Sequence, residues 1–250
     1  MTSYATVGFD FAGSFKQDTY TISYHKYQLE LTKAKVRLRE KRRAEVSSNQ
    51  IHIKITSGDL HDAIEAGLMF LSEISWLWDV EIFGTEMGGG NGPIRFHTRY
   101  RGSRFGGEVV DITFYRPMPL NDIQRLAVGL YKEGISSNSI FFKYLGLYKI
   151  LEIEMTGKQR EKWLTEYLTG HWPGFNFDKK HEYVPKDPDD LQRFLYKYGR
   201  CAVAHGKDDL TVDAHSLNDF RTIGVCYDVI KDAVRHYMKA EMGIPKLLQY

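Results

Sequence analysis

Cysteine is nearly absent from this chain of 250 residues: only Cys201 and Cys226 occur. Two thiols make neither a disulfide framework nor a zinc-ligand pattern, and the cytoplasm is the simplest setting for them. Excess charge is lacking too. The formal net charge is +2, too small to argue for a polyanionic partner by itself, so any basic surface has to come from local clustering. No apolar run reaches membrane-spanning length. The longest, Leu68 to Val80, is broken by Ser72, Glu73, Ser75 and Asp79, so no membrane partner is expected. Met1 to Phe11 is too short and too polar for a secretory leader. Repeats, low-complexity tracts, a His-x3-His pair and a Ser-His-Asp arrangement are also missing. No metal site and no cofactor are expected.

Aromatic residues, by contrast, are abundant, and their large buried areas can support a substantial core. The first half reads as strands. Val7 to Phe11, Tyr20 to Tyr24, Gln28 to Thr32 and Ile51 to Ile55 alternate apolar and polar positions with period two. The charged stretch Lys33 to Glu45, with Lys35, Arg37, Arg39, Lys41, Arg42 and Arg43, fits either a strand pair with a basic turn or a short helix. It reads as a solvated face, or as a track along a nucleic-acid backbone. A helix capped by Ser57 or Asp59 is expected to run to about Trp78. The glycine run Gly88 to Gly92 lacks the Lys-Ser/Thr of a phosphate loop and reads as a hairpin connection. Strands are expected again over Ile94 to Tyr100 and Glu108 to Tyr115.

Beyond Pro117-Met118-Pro119 the apolar spacing becomes helical. One helix follows Asn121 or Asp122. A second starts after Ser139 and is broken at Gly157. A third spans Gln159 to Leu168. Asp189 opens a fourth, through Leu191, Leu195 and Tyr198. A long last helix, from about Ser216 to Met242, has Leu217, Phe220, Ile223, Tyr227, Ile230, Val234 and Tyr237 on its apolar face. The chain is therefore expected to be α+β: a β-rich domain with one helix over 1–118, then an all-α bundle over 119–250.

The segment Tyr196-Lys-Tyr-Gly-Arg200-Cys-Ala-Val-Ala-His205-Gly206 stands out. On an α-helix, residues five apart lie on neighbouring faces and can reach one anion. Arginine brings a permanently charged planar fork suited to phosphate. Histidine takes or gives a proton near neutral pH. The pair can thus hold a phosphodiester and move the proton of a ribose 2′-hydroxyl. The spacing alone is a weak signal; its helical setting and its Ala-His-Gly ending strengthen it.

This segment, with the helix Phe141 to Glu152 ahead of it and a long helix behind, resembles the HEPN superfamily over about residues 119–243. It looks most like HEPN proteins grouped with methylamine-utilisation protein J. The resemblance implies a HEPN-like helical bundle that often forms homodimers, with two Arg-x4-His motifs facing one cleft, and in many members a metal-independent endoribonuclease. Arg200 and His205 match the two catalytic positions. Tyr196, Lys197 and Lys207 are the expected substrate contacts, and RNA is the expected partner. The residue after the arginine is often polar in active members and is Cys201 here, which favours the alternative of a non-catalytic interaction module binding a nucleotide or a protein. In a purely structural reading, Arg200 and His205 cap helices and bridge carboxylates such as Glu152 or Glu154.

Overall fold

The computed structural model describes residues 3–38, 44–56, 58–96, 108–171, 184–205, 212–213 and 215–246. The chain divides into two units. One ends at Pro119 and also takes in Lys246, and the other is Leu120–Pro245.

In the first unit, alternation builds the sheet. Its strands are β1 (Ser3–Phe11), β2 (Gly13–Phe15), β3 (Thr19–Tyr24), β4 (Tyr27–Thr32), β5 (Val36–Leu38), β6 (Ala44–Val46), β7 (Asn49–Ile55), β8 (Ile82–Gly90) and β9 (Glu108–Val110). Five of them form an antiparallel sheet in the order β3-β4-β7-β1-β8. β2 and β9 pair in parallel. β5 and β6 pair antiparallel, which settles the basic stretch as a strand pair; Arg39, Lys41, Arg42 and Arg43 lie outside the described residues. Helix α1 (Leu60–Trp78) is capped by Asp59, whose carboxylate accepts the Asp62 N–H at 3.0 Å. Phe70, Leu71 and Ile74 of α1 join Val7, Phe9, Leu29, Leu31, Ile51 and Ile53 in one buried cluster.

Three expectations for this unit need correction. Gly88, Gly89 and Gly90 belong to β8 and pair with Thr6, Ala5 and Tyr4 of β1. Their lack of a side chain serves packing instead of a turn: a Cβ on Gly89 would lie 2.2 Å from Leu60 Cδ1. Ile94 to Phe96 form no strand. Ile94 N–H reaches the Thr6 hydroxyl (3.2 Å) and the Gln50 amide reaches Phe96 O (2.8 Å), so this segment lies across the sheet; residues 97–100 lie outside the described ones. The strand expected over Glu108 to Tyr115 is β9, which stops at Val110 because Asp111 turns the chain. Its carboxylate accepts both the N–H and the hydroxyl of Thr113 (3.0 and 2.5 Å).

The helical unit comprises α2 (Asp122–Ser136), α3 (Ile140–Leu151), α4 (Gly157–His171), α5 (Pro188–Phe194), a π-helical turn (Leu195–Cys201), α6 (Ala202–His205) and α7 (Leu217–Ala240). Asn121 and Gln124 cap α2 reciprocally, side chain to backbone, at 2.9 Å each way. Gly157 does more than interrupt: it opens α4. Thr156 and Gln159 form a second reciprocal cap there (Thr156 N–H to Gln159 Oε1, 2.9 Å; Gln159 N–H to Thr156 Oγ1, 3.4 Å). Ser216 caps α7. On α7 the buried ridge starts later than expected. Leu217 and Phe220 are exposed, and Ile223, Cys226, Ile230, Val234 and Tyr237 are buried. Among the described residues no helix is long and apolar enough to cross a membrane.

Glu73 of α1 is 1% exposed, and a carboxylate there must be surrounded by donors. It is. Tyr24 donates to Oε1 (2.6 Å), while Tyr115 (2.5 Å) and the Met118 N–H (3.0 Å) donate to Oε2. Burial, then the Glu73 charge and hydrogen bond, push the Tyr115 pKa well above the usual phenol range. Replacing Glu73 with Ala takes this acceptor away from all three donors. A loss of about 3 kcal/mol is expected, measurable as a lower urea midpoint, and Glu73→Gln should recover part of it.

Candidate functional site

The Arg200 segment is helical but not α-helical throughout. Leu195–Cys201 forms a π-turn, closed by the Ala202 N–H donating to Lys197 O five residues back. Its cause lies in α3. The buried Tyr144 hydroxyl donates to Leu195 O at 2.7 Å. In an α-helix that carbonyl would receive the Gly199 N–H, and the Tyr144 ring fills the space beside Gly199, where a Cβ would lie 2.5 Å from Tyr144 Cζ. A side chain inserted into the ladder widens the turn. Such turns are frequent at functional sites.

Arg200 sits at the end of the π-turn, half-buried. Its Nε donates to Glu152 Oε1 at 3.1 Å. Burial works against the Arg200 charge, but the Glu152 hydrogen bond and charge outweigh it, so the pKa is raised. This is the carboxylate bridge anticipated in the structural reading. A second guanidinium, that of Arg160, approaches the same oxygen, with Nη1 at 3.8 Å. Arg160 is 8% exposed. Its guanidinium carbon lies 5.4 Å from the centroid of the Tyr148 ring and 5.7 Å from that of Tyr196, an arrangement favourable to a cation. Burial pushes the Tyr148 pKa up to about 12 against the opposing pull of Arg160.

Glu152 is the C-terminal cap of α3, and Arg160 lies in the first turn of α4. Each charge therefore faces the helix end of its own sign, which is the unfavourable placement. Each offsets the other's penalty. Arg160 was not among the residues expected in the site. The available signal was a carboxylate at one helix end and an arginine at the start of the next, both opposed to the helix dipoles.

The other expected residues are distributed unevenly. Tyr196 lies on the π-turn, 38% exposed, and Lys197 beside it is exposed. A side-chain hydrogen bond to Cys201 and that residue's charge, then burial, raise the Tyr196 pKa. His205 ends α6, but its side chain lies outside the described residues, as does all of Lys207. The structure thus brings Tyr196, Arg200 and Glu152 together with Arg160. Among the described residues no group of three or more His, Cys, Asp or Glu side chains is placed to hold a metal ion.

Residues 127–239 match the family model of methylamine utilization protein MauJ. The matched segment contains Glu152, Arg160, Arg200 and His205. No curated protein matches the chain. No solved structure matches it.

The geometry around Gly199 makes a direct prediction. Gly199→Ala drives a methyl into Tyr144 and should cost on the order of 2 kcal/mol. Tyr144→Phe only removes the hydrogen bond to Leu195 O and should cost about 1 kcal/mol. Urea unfolding of the two variants checks the order.

Proposed function

We propose that the helical unit is a HEPN-type module that binds RNA and cleaves it without a metal ion. The observation that carries this reading is the convergence of two arginines, from separate helical elements, on one carboxylate oxygen, Glu152 Oε1. Carboxylate and phosphodiester oxygens are recognised by the same guanidinium fork. Arg200 therefore holds the scissile phosphate and stabilises the charge that builds on it. His205 takes the proton from the ribose 2′-hydroxyl as its oxygen attacks phosphorus. The bond to the 5′-oxygen breaks, that oxygen gains a proton, and the products are a 2′,3′-cyclic phosphate and a 5′-hydroxyl end. Dependence on the 2′-hydroxyl restricts the reaction to RNA. Tyr196, Lys197 and Lys207 flank the pair as substrate contacts. The match to the MauJ model over the segment containing the motif adds to this reading.

A second reading has its own support. Glu152 already engages Arg200, and Cys201 stands where active members are often polar. These features favour a HEPN-fold interaction module that binds a nucleotide or a protein and catalyses nothing.

One set of measurements separates the two. In the nuclease reading, RNA cleavage persists in EDTA, because Arg200 supplies the positive charge a metal would bring. Arg200→Ala and His205→Ala each lower the rate at least a hundredfold, and the double variant loses little more than either single one. Cleavage abolished by EDTA and restored by magnesium would falsify the mechanism. In the second reading the unaltered protein cleaves nothing, and Arg200→Ala lowers stability by about 2 kcal/mol through the partner left at Glu152.

The nuclease reading also expects a homodimer through the helical unit, since one arginine and one histidine make a sparse site and a two-fold axis doubles it. Light scattering at high micromolar concentration should give twice the chain mass. A monomer there counts against the composite cleft.

A further inference from the structure

The first unit carries a groove that the RNA reading does not use. One wall is the outer edge of β3, and the other is the segment from Ile112 to Pro117; together they enclose about 430 Å³. We propose that this groove docks an extended peptide bearing an acidic residue, added as a further strand to β3.

β3 is the end strand of the five-stranded sheet. Tyr24 pairs with Tyr27 across the two-residue loop His25-Lys26, and the pair that closes such a loop is hydrogen-bonded. Alternation then turns the backbone groups of Tyr20, Ile22 and Tyr24 toward β4. Those of Thr19, Thr21 and Ser23 turn outward. Within Thr19–Tyr24 no proline, no lysine and no bulge protects this edge.

The far wall is fixed to the same structure as the edge. Tyr24 of β3 and Tyr115 of the wall both donate to Glu73, and the Gln17 amide reaches the Thr113 hydroxyl at 2.8 Å. Spacing between the walls is therefore set by the fold before anything binds. A wall standing beside the edge stands in the way of a second folded sheet, which an extended peptide does not bring with it. Charge selects among peptides. The residues lining the groove include no Asp or Glu and one charged side chain, Arg116. Arg116 is exposed and has no acidic partner among the described residues. Phe114, 91% exposed on the same wall, offers apolar contact. Backbone pairing along the edge gives affinity and the wall gives selectivity, as in other strand-addition sites.

The test is selection of binders from a displayed library of random ten-residue peptides on the full-length chain, followed by fluorescence anisotropy of the enriched peptides. Thr21→Pro removes an outward N–H and no β3–β4 hydrogen bond; Arg116→Ala removes the cation. Both variants should unfold within a few degrees of the parent. Enriched peptides should carry Asp or Glu, weaken at least tenfold with Thr21→Pro and at least tenfold with Arg116→Ala, and shift the Thr19, Thr21 and Ser23 amide resonances. Absence of enrichment, peptides that bind Thr21→Pro as well as the parent, or a Thr21→Pro effect on self-association instead of on peptide binding would each overturn the proposal. None of these readouts depends on RNA, so the result is independent of the fate of the nuclease reading.

Discussion

A guanidinium that is almost entirely withdrawn from water needs a negative partner, and the arrangement of the helical unit turns on that requirement at Arg160. Glu152 meets it, and through it Arg160 and Arg200 become a single electrostatic group. The end of α3, the start of α4 and the π-turn are thereby tied at one carboxylate. The aromatic rings of Tyr148 and Tyr196 complete the enclosure of the Arg160 cation. Neither charge lies with its helix dipole, so the three elements gain from this contact only when all of them are in place.

The two units each contain one organising carboxylate, and the contrast between them is instructive. Glu73 is held by two phenols and a backbone amide, all of them neutral donors. Glu152 is held by two guanidiniums, a quarter of its side chain remaining open to solvent. The first arrangement is a fixed strut. The second is made of guanidiniums, the partners that a phosphate would take in the proposed function.

Much of this was legible in the sequence, for identifiable reasons. Period-two alternation at Tyr20 to Tyr24 and Ile51 to Ile55 reports strands with one buried face, and Asp59, Asn121 and Ser216 announce helix starts because their side chains satisfy free N–H groups. Glu152 stands out in the sequence as a carboxylate that Arg200 can bridge, and the two are 3.1 Å apart. Glycine misled at Gly88 to Gly90. Composition there speaks of turns, whereas the close approach of Leu60 and Ile94 is a property of residues distant in sequence. The π-turn was invisible for the same reason, since its cause is a hydroxyl 51 residues upstream of the carbonyl it engages. Arg160 does not stand out in the same way, because an arginine near the start of a polar helix reads as solvated; only the packing of Tyr148 and Tyr196 around it removes it from water.

The π-turn also bears on how lineages of this protein can drift. A widened turn holds one residue more than the α-helical turn it replaces, so it is a natural place for a chain to gain or lose a single amino acid without breaking the helix on either side. Loss of one residue between Leu195 and Cys201 would return the segment to α-helical geometry and keep everything beyond it in register, whereas straightening the turn without that loss would rotate everything beyond it by about 100°. Arg200 and His205 would keep their separation along the chain and yet present themselves to different neighbours. Two homologues with an identical Arg-x4-His string can therefore differ in what that string faces, and the length of the stretch before the arginine, read against Tyr144, is the feature that tells them apart.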